Sequence, residues 1–245
     1  MIDELPRELA WLGDRSAPIE RPPQGMTSEV VFWGDVVVKR CRDPRYTKWL
    51  RGEANKLRAL ARSGLPIPEL RGFVDGSDDV WLVMTRLPGI PFDQALQVGD
   101  RTQLARELGA LLRRIHRTPV PSLMRYGAPW RDRMMIAAAG NLAWCDGTAE
   151  QLAELAATRP APVPERLIHG DLGLDNVLVH DGQVTGIVDW PLGDSGDPRF
   201  DVALALMERD DGLRASEHAP FLAGYGGEPL DVATRAWFER LWDFF

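Results

Sequence analysis

The sequence predicts an α+β protein of two lobes, a small β-rich N-terminal lobe and a larger, mainly helical C-terminal lobe. Three observations carry this. Strand-like text fills the first third, where "VVFWGDVVVKRC" and "VWLVMT" are rich in β-branched and aromatic residues. Leu87-Pro88-Gly89 then breaks the pattern. Beyond it, apolar residues recur at helical spacing. Strands first and helices later give two lobes with a cleft at the linker. The expected division is 1–84, a hinge at 85–89, and 90–245.

The elements follow in order. Residues 30–41 read as two strands joined by Gly34-Asp35, a two-residue hairpin connection. Residues 46–64 read as a helix, with Trp49, Glu53, Leu57, Leu60 and Gly64 at helical spacing and Gly64 as the C-cap. A strand, a turn at Asp75–Asp79 and an apolar strand over 80–85 come next. In 99–116, Leu104, Leu108, Leu111, Leu112 and Ile115 share one helix face, and Asp100 with Gln103 suits a capping box. Residues 129–158 form another helical stretch. Short strands over 176–180 and 184–189 flank the turn His180-Asp181-Gly182, and helices over 199–209 and 231–243 end the chain.

Composition narrows the function. Apolar content is 44%, enough for a real core. No apolar run reaches membrane-spanning length, so a membrane partner is not expected. The acidic start lacks the basic and apolar regions of a signal peptide, and Cys41 and Cys145 form no CxxC pair, so a reducing cytoplasm is expected. The net charge of −7 argues against nucleic acid. Residues 90–245 hold 15 Lys and Arg against 23 Asp and Glu, whereas 1–89 are nearly balanced. A cationic small molecule would be drawn to such a lobe. The assembly is expected to be a monomer or a homodimer.

"LIHGDLGLDNVLV", residues 167–179, sets a His, two Asp and an Asn between apolar runs. Four residues separate Asp171 from Asn176, and Asp189 ends the next apolar strand in "GIVDWP". Carboxylate, carboxamide and carboxylate are hard oxygen donors. They suit Mg²⁺, which takes few protein ligands and keeps phosphate oxygens and water. The Asp-to-Asn spacing is that of the kinase pattern H-R-D-x-x-x-x-N, with Gly170 in place of Arg.

Taken together, "HGDLGLDNVLV", "GIVDW" and "GDPRFDVALA" resemble the aminoglycoside phosphotransferase family, a branch of the protein-kinase-like fold. The resemblance implies a base at Asp171, Mg²⁺ ligands at Asn176 and Asp189, and structural roles for His169, Asp197 and Asp201. It implies that Gly25, Met26, Thr27 and Ser28 form the loop over the phosphates of ATP or GTP. It also implies that Lys39 reaches the α- and β-phosphates with Glu53 as its ion-pair partner. Met84 would line the base pocket, and the backbone of Thr85–Leu87 would bond the base. His116, His180 and His218 are given no function.

The chain end, "FLAGYGGEPLDVATRAWFERLWDFF", resembles the kanamycin kinase group, the 3′-type enzymes, in which terminal acids bind the drug's ammonium groups. That places Asp243 and the Phe245 carboxylate at the acceptor. Glu208 and Asp211 match its substrate-binding acids, and Asp146 and Glu150 form the other wall. The implied activity is Mg-dependent γ-phosphoryl transfer to an aminoglycoside hydroxyl, giving antibiotic resistance. Two rivals stand beside it: a kinase of the same fold acting on another hydroxylated metabolite, and a catalytically dead nucleotide-binding protein. The presence of Lys39, Asp171, Asn176 and Asp189 disfavours the last.

Overall fold

The structure, a computed structural model, describes residues 5–13, 16–25 and 27–245. Met26, expected in the phosphate loop, lies outside them. The chain is α+β, and it divides into two units. The first takes the described residues up to Gly89 together with Thr185–Leu192; the second takes Ile90–Val184 and Gly193–Phe245.

The first unit is an antiparallel sheet with one helix. Its strands are β1 (Ile19–Glu20), β2 (Glu29–Trp33), β3 (Val36–Cys41), β4 (Leu70–Asp75) and β5 (Val80–Thr85), in the order β1-β2-β3-β5-β4. Gly34 turns the β2–β3 hairpin with φ 63°, a conformation open to glycine, and Trp33 faces Val36 across it. Strand alternation sends Val31, Trp33, Val36, Val38, Trp81 and Val83 to one face. That face is covered by a 3-10 helix, Arg7–Leu12, through the buried Leu9 and Leu12. Lys39, one residue out of phase with Val38, turns to the other face.

Helix α1 (Thr47–Leu60) buries Leu50, Glu53, Ala54, Leu57 and Leu60, a stripe at three- and four-residue spacing. It stops earlier than its spacing predicts. The Ser63 N–H bonds the Leu60 carbonyl, tightening the chain into a turn, and Gly64 (φ 72°) turns the following loop rather than capping the helix.

The second unit opens with β6 (Ile90–Pro91) and α2 (Phe92–Val98), then α3 (Arg101–Arg117), α4 (Trp130–Asn141) and α5 (Ala149–Ala157). Short strands follow: β7 (Arg166–Ile168), β8 (Val177–His180), β9 (Gln183–Ile187, which leaves this unit at Thr185) and β10 (Asp194–Gly196). Helices α6 (Arg199–Ala205), α7 (Ala215–Tyr225) and α8 (Val232–Trp242) complete it. β7 pairs with β10 and β6 with β8, both antiparallel.

Three expectations need correction here. The capping box at Asp100 is half formed: Asp100 accepts from the Thr102 and Gln103 N–H groups, but the Gln103 side chain donates to Glu107. A complete box forms at Thr148–Gln151 instead. That box starts a new helix, so the expected 129–158 stretch is two helices. The expected 199–209 helix stops at Ala205, because the polar run Glu208–Asp211 ending at Gly212 has no apolar face to bury.

The core of this unit is aromatic. Trp130, Phe238 and Trp242 surround Phe200, with ring centroids 5.2–6.1 Å from it. α3 and α7 meet backbone to backbone. A Cβ on Gly109 would collide with the Phe221 carbonyl and lie 2.7 Å from the Tyr225 nitrogen; one on Gly224 would collide with the Arg106 carbonyl.

Candidate active site

The first unit builds a buried cation between two acids. Lys39 Nζ donates to Glu53 Oε1 at 3.0 Å and Oε2 at 2.9 Å, and to Asp189 Oδ1. Sheet alternation and the α1 stripe bring the first two together. Asp189 arrives because residues 185–192 dock on this unit: the Ile187 N–H donates to the Pro66 carbonyl at 2.9 Å, and Pro191 lies against Gly52, beside Glu53. Asp189 itself sits at φ 58°, a left-handed conformation that few non-glycine residues adopt.

One ammonium cannot neutralise two carboxylates. Burial alone would lower the Lys39 pKa, but the charges of Glu53 and Asp189 hold it above its ordinary value. Burial pushes Glu53 up to about 7, against the pull of Lys39 and with the charge of Asp189 adding to it. Asp189 is the open member, with 42% of its side chain exposed.

The second unit builds the loop that carries Asp171. β7 delivers His169, fully buried, and Gly170, whose φ is 81°. Asp201 on α6 accepts from both backbone N–H groups, from His169 at 2.8 Å and from Gly170 at 2.9 Å. Beyond Asp171 the chain folds back: the Gly173 N–H and the Asn176 Nδ2 both donate to the Asp171 carbonyl, at 2.9 and 3.0 Å. Asp171 is thus pinned on both sides through its backbone, with its side chain half-buried.

Asn176 spends its nitrogen on that bond, which leaves its amide oxygen for a cation. A carboxamide oxygen is a hard donor of the kind Mg²⁺ takes, and so is the partly exposed carboxylate that Asp189 carries on the first unit.

Asp201 has the structural role that the resemblance implied: from the first turn of α6 it accepts hydrogen bonds from the loop backbone and so braces the loop. His116 was given no function; it is buried on α3 and bonds Asp201 Oδ2 through Nε2 at 3.1 Å. Burial pushes Asp201 up, and the hydrogen bond and charge of His116 outweigh it, holding the carboxyl below its ordinary value. Asp197 does serve the start of α6, accepting from the Arg199 N–H at 3.1 Å and from the Arg199 guanidinium.

Of the expected nucleotide loop, Gly25 and Thr27 are exposed and Ser28 is half-buried. Gln24, unremarked in the sequence, holds this loop: its amide donates to the Pro22 and Val30 carbonyls and accepts the Val30 N–H at 2.8 Å. Met84 is buried on the same sheet face as Lys39, because Leu82 pairs with Lys39 and Met84 is two residues on. The Thr85 and Arg86 N–H groups are already taken, by the Glu69 and Asp35 carbonyls. Leu87 packs against Gly186.

The expected acceptor acids are all on the surface. Asp146 and Asp243 come together: burial and then the charge of Asp146 raise Asp243, against the pull of Arg240. The 141–147 segment is fixed to the chain end, where Asn141 Nδ2 donates to the Phe244 carbonyl at 2.9 Å and the Phe244 ring lies on Gly147. Phe245 is half-buried, and its N–H bonds the Trp242 carbonyl. Glu150 opens α5, where its own backbone and Thr148 lower its pKa. Glu208 is 3.9 Å from Arg235, and Asp211 is exposed in the α6–α7 connection.

Against known proteins, the profile of the phosphotransferase enzyme family matches residues 18–239. The chain is 32% identical over 215 residues to an aminoglycoside 3′-phosphotransferase of Streptomyces fradiae, covering 80% of each chain. It is 29% identical over 220 residues to the enzyme of that name from Streptomyces ribosidificus, covering 80% of this chain and 81% of that one. Among solved structures it superposes on an aminoglycoside-3′-phosphotransferase of type VIII with a TM-score of 0.73 and 25% identity, covering 97% of this chain and 98% of that one.

Proposed function

Because the chain belongs to the phosphotransferase enzyme family and is an enzyme that phosphorylates a hydroxyl group, we propose that it transfers the γ-phosphoryl group of MgATP or MgGTP to the 3′-hydroxyl of an aminoglycoside. The observation that carries this reading is the buried Lys39, held between Glu53 and Asp189. A strand lysine fixed by a helix glutamate is what phosphoryl transfer requires at the α- and β-phosphates. The resistance role and a cytoplasmic setting follow from this reading.

In it, Lys39 holds the α- and β-phosphates and Glu53 aims it. Gly25, Met26, Thr27 and Ser28 close over the phosphates. Met84 lines the base pocket, and Leu87 is the hinge residue that bonds the base, since the Thr85 N–H is engaged. Asn176 and Asp189 would hold Mg²⁺, which supplies charge neutralisation between the phosphates. Asp171 orients the acceptor hydroxyl and takes its proton late, as a loose transition state demands. Asp146, Asp243, Glu150, Glu208 and Asp211 supply negative charge for a polycationic acceptor, and long-range attraction speeds its encounter.

The test is mass spectrometry of aminoglycosides with and without a 3′-hydroxyl after incubation with the protein and MgATP or MgGTP. One phosphoryl group gained only by drugs bearing that hydroxyl supports the reading. Modification of 3′-deoxy drugs overturns the regiochemistry. No drug modified, with nucleotide still bound, favours a kinase of another hydroxylated amine.

A further inference from the structure

Asp201 is not the end of the brace on the Asp171 loop. His116 reaches it from α3 at 3.1 Å, and His116 Nδ1 lies 2.9 Å from the hydroxyl of Tyr225, the last residue of α7. The Asp201 end of this chain has a fixed direction. Asp201 already accepts from two backbone N–H groups, so as a carboxylate it offers only acceptor capacity to His116. His116 Nε2–H therefore donates to Asp201, and Nδ1 shares the second hydrogen bond with the Tyr225 hydroxyl. Burial first, then the charges of Asp201 and Asp197, push the Tyr225 phenol up to about 12, so it keeps its proton.

The geometry leaves this chain little slack. The Tyr225 ring stacks on Phe221 at 6.1 Å and meets the His116 ring edge-on at 5.6 Å. α7 can approach α3 closely enough for the bond only because Gly109 and Gly224 lack side chains at the crossing. A tyrosine at the far end of one helix is thereby linked, through a histidine and an aspartate, to the N–H groups of the two residues preceding Asp171.

We propose that Tyr225 and His116 are positioning residues for Asp171, acting through the two backbone bonds that Asp201 makes to the loop. They touch no substrate. Their effect falls on the transferring step rather than on nucleotide binding. The inference rests on the assignment of Asp171 as the catalytic carboxylate.

The test uses Tyr225→Phe, which deletes one hydroxyl and keeps both ring contacts, with His116→Asn as the harsher second variant. Two readouts are taken on the full chain: amide hydrogen exchange of the 167–176 segment, and steady-state kinetics. For Tyr225→Phe, faster exchange is expected in that segment, with β2, β3 and α8 unchanged. A roughly tenfold fall in kcat at unaltered nucleotide KM is expected with it, the rate equivalent of one lost hydrogen bond. Unchanged exchange at 167–176 overturns the inference, whatever the kinetics show. So does a rise in nucleotide KM that accounts for all the lost activity. If the wild-type protein modifies no aminoglycoside, the acceptor assignment fails, and the exchange measurement still decides this one.

Discussion

Replacing Glu53 by Gln removes one of the two carboxylates that share Lys39, and its effect on stability depends on pH in a calculable way. Glu53 has an ordinary value of 4.5 and is raised to about 7 in the folded protein. A raised carboxyl binds its proton more tightly when folded. It therefore stabilises the fold fully below pH 4.5 and loses that contribution as pH rises through 7. The shift corresponds to roughly 3 kcal/mol at 1.36 kcal/mol per pH unit. Glutamine is close to the protonated carboxyl in shape and never ionises. The Tm of Glu53→Gln minus that of wild type should therefore be more positive at pH 8 than at pH 5, by several degrees for a chain of this size. Differential scanning calorimetry without nucleotide at the two pH values reads it directly, and other carboxylates cancel in the difference. The Glu53→Gln variant should also lose kcat, since Lys39 is left facing Asp189 alone. A Tm difference that is the same at both pH values refutes the reasoning about the shared cation.

Three further outcomes follow from the packing and the charge. Gly109→Ala must push α3 away from the Phe221 carbonyl, so it should destabilise by about 2 kcal/mol or more and weaken activity, measured by urea unfolding. Leu12→Ala, which uncovers the sheet face opposite Lys39, should cost about 2–5 kcal/mol by the same assay while leaving the kcat of the folded fraction unchanged. Asp146→Asn and Asp243→Asn should each raise the aminoglycoside KM more than the nucleotide KM. Their effect should shrink at high salt, and equal changes in both constants would assign these acids to folding instead.

The legible parts of the fold were those specified locally. The Gly34-Asp35 hairpin, the apolar 80–85 strand and the leucine stripe of α3 each carry their own period. The parts not read from sequence depend on distant partners. β7 and β10 are three residues each and exist by pairing across 26 or more positions. The Arg7–Leu12 helix is too short for a periodic signal and is fixed by its cover of the sheet. α7 contains Pro220 in "ASEHAPFLAGY", which reads as a breaker. α2 is a single short helix directly after Pro91, with no cap side chain to announce it.

The site divides along the same line. Asp171, Asn176 and Asp189 stand out by residue type and spacing, whereas Lys39 is singled out through the family resemblance. Residues 185–192 are a continuous part of the second half in sequence, yet dock on the first unit through Pro66 and Gly52. Gln24, His116 and Tyr225 act on neighbours 6, 85 and 109 positions away. A lone histidine at a helix end gives no sign of that, and the glycine pair that admits Tyr225 is visible only once α3 and α7 are packed.

The most direct test of the central claim is the mass of a 3′-hydroxylated aminoglycoside incubated with MgATP and either the wild-type protein or Asp171→Ala. The account predicts one added phosphoryl group with wild type and none over the same time with the variant, while both bind nucleotide equally. Equal product from the two proteins would contradict the assignment of Asp171, and with it the reading of the 167–176 loop as the seat of the chemistry.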